Sequence, residues 1–63
     1  MTVTIHFDDQ RKPKTYLTAR SVIHTPRGYM ITWADFSRKD PLDNPTLEKD
    51  TYKKHEIKYM QIH

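Results

Sequence analysis

The chain has 63 residues, of which 35% are hydrophobic and 30% are charged, and it contains no cysteine. This length predicts one domain over residues 1–63 with a lean core, and the lack of cysteine excludes disulfides and thiolate metal sites. The formal net charge of +3 favours anionic partners only mildly, because the 11 basic residues are spread along the chain.

Signals for membrane insertion or export are missing from the sequence. No apolar stretch approaches the roughly 18 residues that a membrane-spanning helix needs. The segment from Met1 to Phe7 lacks the basic start and the long apolar run of a signal peptide. We therefore expect a cytoplasmic protein that has no membrane partner.

The first strand is predicted over residues 2–7. Val3, Ile5 and Phe7 share one face and polar residues occupy the other, which is the period-two pattern of a half-buried strand. Residues 8–13 follow as a polar turn, since aspartates bond nearby backbone N–H groups and proline cannot donate to a sheet ladder.

A hairpin is predicted in the middle of the chain. Residues 14–25 are extended, but their alternation slips, which indicates either a bulge near Arg20 and Ser21 or a break into two short strands. A proline and a glycine at positions 26 and 28 then predict a tight turn. Residues 29–36 form the returning strand of the hairpin.

The segment from residue 37 to residue 50 differs in composition, with Pro41 and Pro45 among several charged residues. Fourteen residues without strong periodicity predict a long loop that is either functional or mobile. A short helical turn over 45–49 is an alternative, because Asn44 can cap it and proline suits the first helical position.

Two further strands are predicted over residues 51–54 and 57–62. The fold class is therefore all-β, a small antiparallel meander of four or five strands. A meander of this length must curl to bury its apolar face, so an SH3-like or partly open barrel is the expected result. The alternative is a flat sheet that packs against a second copy of itself.

Three segments of the chain carry a resemblance to known proteins. They are an opening strand followed soon by an aromatic residue, a central hairpin and a closing strand, found here at Val3–Asp9 with Tyr16, Ser21–Thr32 and His55–Ile62. In this layout the chain resembles short uncharacterised β-meander proteins of Gram-positive bacteria and their phages. The resemblance implies a small accessory protein of a phage or mobile element that acts on a host protein, and it carries over no functional residue.

No constellation of residues for catalysis or metal binding is evident. The histidines show neither the His-x-x-x-His nor the His-x-His spacing that would bring metal ligands together, and they stand at positions 6, 24, 55 and 63. Ser21 and Ser37 lack the flanking glycines of a nucleophile elbow, and a single glycine cannot build a phosphate-binding loop. We expect no enzymatic activity, no catalytic residue, no metal or other cofactor, and no small-molecule substrate.

Aromatic residues interleaved with basic residues are the remaining signal. Proteins that bind single-stranded nucleic acid stack bases on exposed aromatic rings beside a basic groove. Trp33 is expected in the core, because a lean core needs its largest side chains. The predicted binding surface consists of Arg27, Tyr29, Tyr52, Lys53, Lys54 and Lys58.

Two functions follow from these features. The first is a non-catalytic module that binds another protein or forms a homodimer, with strand edges at residues 51–54 or 57–62 as the means of pairing. The alternative is a small basic β-barrel that binds single-stranded DNA or RNA. The sequence does not identify the partner in either case.

Overall fold

The computed structural model describes residues 1–63 and contains six β-strands and a single turn of 3-10 helix. These elements are β1 (Val3–Phe7), β2 (Lys14–Tyr16), β3 (Ala19–Thr25), β4 (Gly28–Lys39), β5 (Pro45–Lys53), the 3-10 turn (Lys54–Glu56) and β6 (Ile57–Ile62). The strands form two antiparallel sheets with the orders β2-β1-β6 and β3-β4-β5. The prediction of a mainly β protein is confirmed, and the sheets do not close into a barrel.

The structure has six strands where the sequence predicted four or five. The additional strand arises because the predicted break into two short strands occurs, at Leu17 and Thr18, where the chain crosses from one sheet to the other. Thr18 secures the crossing to β4, because its carbonyl accepts from the Ala34 N–H at 3.0 Å and its hydroxyl donates to the Ala34 carbonyl at 2.5 Å. The register of β3 against β4 also shifts between Ala19 and Ser21, at the predicted bulge.

The core lies between the two sheets and is as lean as the composition suggests. The apolar face of β1 supplies Val3 and Ile5, which are fully buried, while Ile31 of β4 closes the core from the other sheet. The buried cluster consists of Val3, Ile5, Phe7, Tyr16, Ala19 and Ile31. Trp33 packs against this cluster but remains partly accessible, with its ring centroid 6.1 Å from that of Tyr16.

The turn between β3 and β4 forms where the sequence predicted it. The Gly28 N–H donates to the Thr25 hydroxyl at 3.0 Å, which closes the turn. Glycine is required here by space and not by a left-handed backbone, since its φ is not positive. A Cβ at this position would stand 1.9 Å from the carbonyl oxygen of Tyr52, on the neighbouring strand β5.

The prediction of a long loop over residues 37–50 is wrong, because β4 continues to Lys39 and β5 begins at Pro45. The connection is a tight turn organised by Asp40, whose Oδ1 accepts from the N–H groups of Leu42 and Asn44 at 2.9 Å each. Asp43 adopts a φ of 65°, which aspartate tolerates better than most residues.

The alternative of a helical turn over 45–49 is also wrong, because these residues belong to β5. Pro45 is the first residue of that strand, a position where its missing N–H breaks few ladder bonds. The predicted strand over 51–54 is shortened at its end, since Lys54 belongs to the 3-10 turn.

The molecule is elongated, with extents of 39 × 24 × 19 Å and a radius of gyration of 12.6 Å. A compact domain of this length would have a radius of gyration of about 11 Å. The larger radius of gyration is explained by the far end of the β4–β5 hairpin, where residues 36–44 are all exposed to solvent.

A hydrogen-bond network around Tyr16 joins the two sheets. The Tyr16 hydroxyl donates to Asp50 Oδ2 at 2.6 Å, and its oxygen accepts from the hydroxyl of Tyr52. Lys14 Nζ lies 3.8 Å from the same carboxylate oxygen. Burial raises the pKa of Tyr16 far above its usual value of 10.0, and the hydrogen bond to Asp50 adds to the shift because a phenolate could not donate it.

This network predicts a loss of stability at alkaline pH. The unfolded chain releases the Tyr16 proton near pH 10.0, whereas the folded chain retains it. The contribution of Tyr16 is therefore fully present below that pH and is lost as the pH rises toward the folded-state pKa. Urea unfolding of the wild type and of Tyr16→Phe between neutral pH and about pH 11 measures this difference. If the free energy of unfolding falls with rising pH equally steeply in the wild type and in Tyr16→Phe, the result would contradict the network.

Candidate binding surfaces

Four of the six predicted surface residues line one concavity at the turn between β3 and β4. The concavity has a volume of about 480 Å³ and its walls include Arg27, Tyr29, Tyr52 and Lys53. Strand register explains this convergence, since Gly28 in the turn pairs directly with Lys53 at the end of β5. The Lys54 N–H then donates to the Arg27 carbonyl at 2.9 Å, which holds the 3-10 turn against the hairpin.

The other two predicted residues lie outside this concavity. Lys54 is exposed on the adjacent 3-10 turn, close to Arg27 through the backbone hydrogen bond just described. Lys58 is exposed on β6, in the other sheet, and does not line the concavity.

Tyr52 lines the concavity, but its side chain is committed to the interior. Its ring packs against Phe7 with a centroid distance of 5.7 Å, and its hydroxyl bonds to Tyr16. The stacked aromatic pair at this end is instead Tyr29 with His24, whose ring centroids are 4.8 Å apart at an interplanar angle of 9°. His24 faces solvent, so the exposed ring surface belongs to a residue that the sequence had not placed in the site.

The remaining histidines do not form a metal centre. His6 Nε2 lies 3.0 Å from the Gln61 side-chain oxygen, and its ring stacks on Tyr59 at 4.2 Å on the outer face of the first sheet. His55 and His63 are exposed at separate places on the chain. The structure contains no group of three or more His, Asp or Glu side chains close enough to hold a metal ion.

A second concavity, which we call the apolar groove, was not predicted from the sequence. It has a volume of about 370 Å³ and is lined by Lys14, Thr15, Tyr16, Leu17, Thr18, Trp33, Ala34, Asp35 and Phe36. Leu17 and Phe36 on its rim are 75% and 52% exposed, so the groove presents adjoining apolar side chains to solvent. The sequence signal for this groove is Leu17, an apolar residue in the extended segment whose alternation slips.

The groove lies where both sheets end without a neighbouring strand. β2 is the edge strand of the first sheet. Pairing between β3 and β4 ends at Ala19 and Trp33, with one further hydrogen bond from Ala34 to Thr18. The stretch of β4 beyond Ala34 therefore presents a free edge on this side.

Two polar groups at the groove differ in how well they are satisfied. Asp35 Oδ1 accepts from the Ser37 hydroxyl at 2.5 Å and from the Ser37 N–H at 3.0 Å, and these hydrogen bonds lower the pKa of Asp35. The indole Nε1–H of Trp33 is buried and has no hydrogen-bond partner in the protein. A buried donor without a partner costs about 1–3 kcal/mol, so this indole reduces the net stability of the fold.

Comparison with known proteins finds no family model that matches this chain, and no curated protein or solved structure matches it. The structure also contains no helix whose length and apolar character would let it cross a membrane. The fold and the two concavities described above define a small all-β protein with two candidate binding surfaces.

Proposed function

We propose that this protein is a non-catalytic binding module that takes up an extended segment of a partner protein in the apolar groove. The observation that carries the proposal is the exposed apolar surface of Leu17 and Phe36 on the rim of that groove. Apolar side chains of the segment would cover Leu17 and Phe36, which are now in contact with water.

The free strand edges favour an extended segment over a helix. A peptide that adds to a sheet edge gains main-chain hydrogen bonds, while pockets for its alternate side chains give specificity. The unpaired stretch of β4 beyond Ala34 offers such an edge beside the groove. The exposed bulge at residues 36–38 interrupts the regular edge, so the bound segment would be short.

A second copy of the chain is the competing occupant of the groove. A homodimer could also form through the free outer edges of β5 and β6, which include the predicted pairing segments 51–54 and 57–62. The elongated shape and the small core both favour a partner of some kind, because a lone domain of this size gains little from its own burial.

The wider setting is also part of the proposal. We infer an opened SH3-like arrangement, since the last strand returns to pair with the first after a single 3-10 turn. We further propose that the protein acts in the cytoplasm as an accessory protein of a phage or mobile element. The support for that origin is the layout of its opening strand, central hairpin and closing strand.

Selection from a library of random linear peptides tests the proposal, with Leu17→Asp as the groove variant. Selected peptides should bind the wild type and change the fluorescence of Trp33, which is the only tryptophan in the chain. Leu17→Asp should weaken their binding at least tenfold, because a charge would enter an apolar contact. Its fold should be kept, since Leu17 is 75% exposed.

Leu47→Asp is the matched control, since Leu47 is 60% exposed on β5 and does not line the groove. The proposal fails if no peptide is selected, or if the selected peptides bind Leu17→Asp as tightly as the wild type. Sedimentation of the free protein measures its oligomeric state and so tests whether a second copy of the chain occupies the groove. A dimer that Leu17→Asp converts to a monomer would assign the groove to a second copy.

A further inference from the structure

The turn end of the β3–β4 hairpin carries a second surface, which we call the basic end and define as His24, Arg27, Tyr29, Lys53 and Lys54. We propose that the basic end binds single-stranded nucleic acid, independently of the apolar groove. Four of these residues surround or adjoin one concavity of about 480 Å³. The proposal does not depend on the function proposed for the groove.

The cations of the basic end are free of carboxylate partners. The five ion pairs of the molecule involve other basic residues, namely Arg11 twice, Lys14, Arg38 and Lys39. Arg27, Lys53 and Lys54 are exposed and form none. Three unpaired cations held together by strand pairing make a local anion site that the modest net charge of the chain conceals.

One acidic side chain, Glu56, lines the same concavity and forms an ion pair with Arg11. Its Oε2 accepts from the Lys53 N–H at 2.6 Å, and its Oε1 lies 3.6 Å from Arg11 Nη2. Arg11 in turn donates to Asp9 at 2.8 Å, and this hydrogen bond lowers the pKa of Asp9. Glu56 is therefore paired with Arg11, and Arg27, Lys53 and Lys54 keep no ion-pair partner.

The aromatic pair distinguishes single strands from other anions. His24 and Tyr29 are already stacked, and His24 is exposed, so a base can extend the stack from its free face. Such stacking tolerates any base sequence, because every base has a π-face. A duplex keeps its base faces inside and would lack this stacking contribution, which predicts weaker binding.

Fluorescence anisotropy with a labelled mixed-sequence single-stranded oligonucleotide tests this proposal, with the matching duplex in parallel. Neutralising three phosphates on a single strand predicts a log–log salt slope of about −2, so affinity should fall roughly 20-fold between about 50 mM and about 200 mM salt. The single strand should bind more tightly than the duplex. His24→Ala should weaken single-strand binding and leave the salt slope unchanged.

Lys53→Glu/Lys54→Glu is the decisive variant, and Lys12→Glu/Lys49→Glu is its control with the same change in net charge. All four lysines are exposed and none forms an ion pair, so both variants should fold, which circular dichroism checks. The first variant should lose at least tenfold more affinity than the control. Equal losses, tighter binding of the duplex, or no binding by the wild type would each overturn the proposal. Leu17→Asp should bind the oligonucleotide as the wild type does, which separates this test from that of the groove.

Discussion

Ile31→Ala is expected to leave a large fraction of the molecules unfolded at room temperature. Ile31 is the largest fully buried side chain of β4 and belongs to the core between the sheets. Truncating a buried isoleucine to alanine costs about 2–5 kcal/mol through lost burial and the cavity that remains. A core of this size supplies only about 3–5 kcal/mol of net stability, so little or none would be left. Urea unfolding followed by far-ultraviolet circular dichroism measures the effect.

Ile62→Ala provides the control for this prediction. It removes the same atoms from a side chain that is 61% exposed on β6. We expect its free energy of unfolding to stay within about 0.5 kcal/mol of the wild type. Similar urea midpoints for the two variants would show that the two sheets do not share the core described here.

Gly28→Ala is the second change with a large expected effect. Its Cβ would stand 1.9 Å from the Tyr52 carbonyl oxygen and 2.8 Å from the Lys54 nitrogen, and both are backbone atoms that cannot rotate away. The end of β5 must then move, which disrupts the hydrogen bond from Lys54 to Arg27. We expect a loss of about 1–3 kcal/mol, as for other insertions into a tightly packed site.

Thermal unfolding and amide hydrogen exchange measure this effect together. The Lys54 amide should exchange faster in Gly28→Ala, while the amides of β1 and β6 should change only as much as global stability requires. Pro26→Ala changes the same turn at an exposed position and should alter the melting temperature little. A Gly28→Ala protein that melts with the wild type would contradict the close approach of the turn to β5.

The two candidate surfaces lie at separate positions along one strand, the basic end at its start and the groove past its middle. Tyr29 at the basic end and Asp35 at the groove are six residues apart on β4, a separation of about 20 Å at the usual rise of a strand. Their chemistry also differs, since one is lined by free cations and the other by aromatic and aliphatic side chains. Substitutions can therefore test one surface without altering the other.

Much of the secondary structure follows from short-range patterns in the sequence. The alternation of Val3, Ile5 and Phe7 predicts β1, because one apolar face of a strand requires that period. The residues at positions 25–28 predict the hairpin, since turn geometry depends on a few neighbouring residues. The closing strand over 57–62 is confirmed for the same reason as β1.

The segment from 37 to 50 shows where local patterns fail. Its prolines and charges are typical of a loop. Residues 45–50 nevertheless form a strand, because each of them pairs with a residue of β4. Cross-strand pairing stabilises residues of low intrinsic strand propensity, and no local window contains that partner. The turn around Asp40, in contrast, is held by local hydrogen bonds from the N–H groups of Leu42 and Asn44.

The candidate sites likewise depend partly on local sequence and partly on long-range strand pairing. The sequence by itself determined the β class, the central turn and the set of basic and aromatic residues near it, because these depend on composition and on neighbours along the chain. Only the tertiary structure decided that Tyr52 turns inward to Tyr16, that His24 offers the exposed ring, and that Leu17, Trp33 and Phe36 meet in a groove. These outcomes depend on which strands pair across two sheets, and such pairing joins residues that are far apart in the chain.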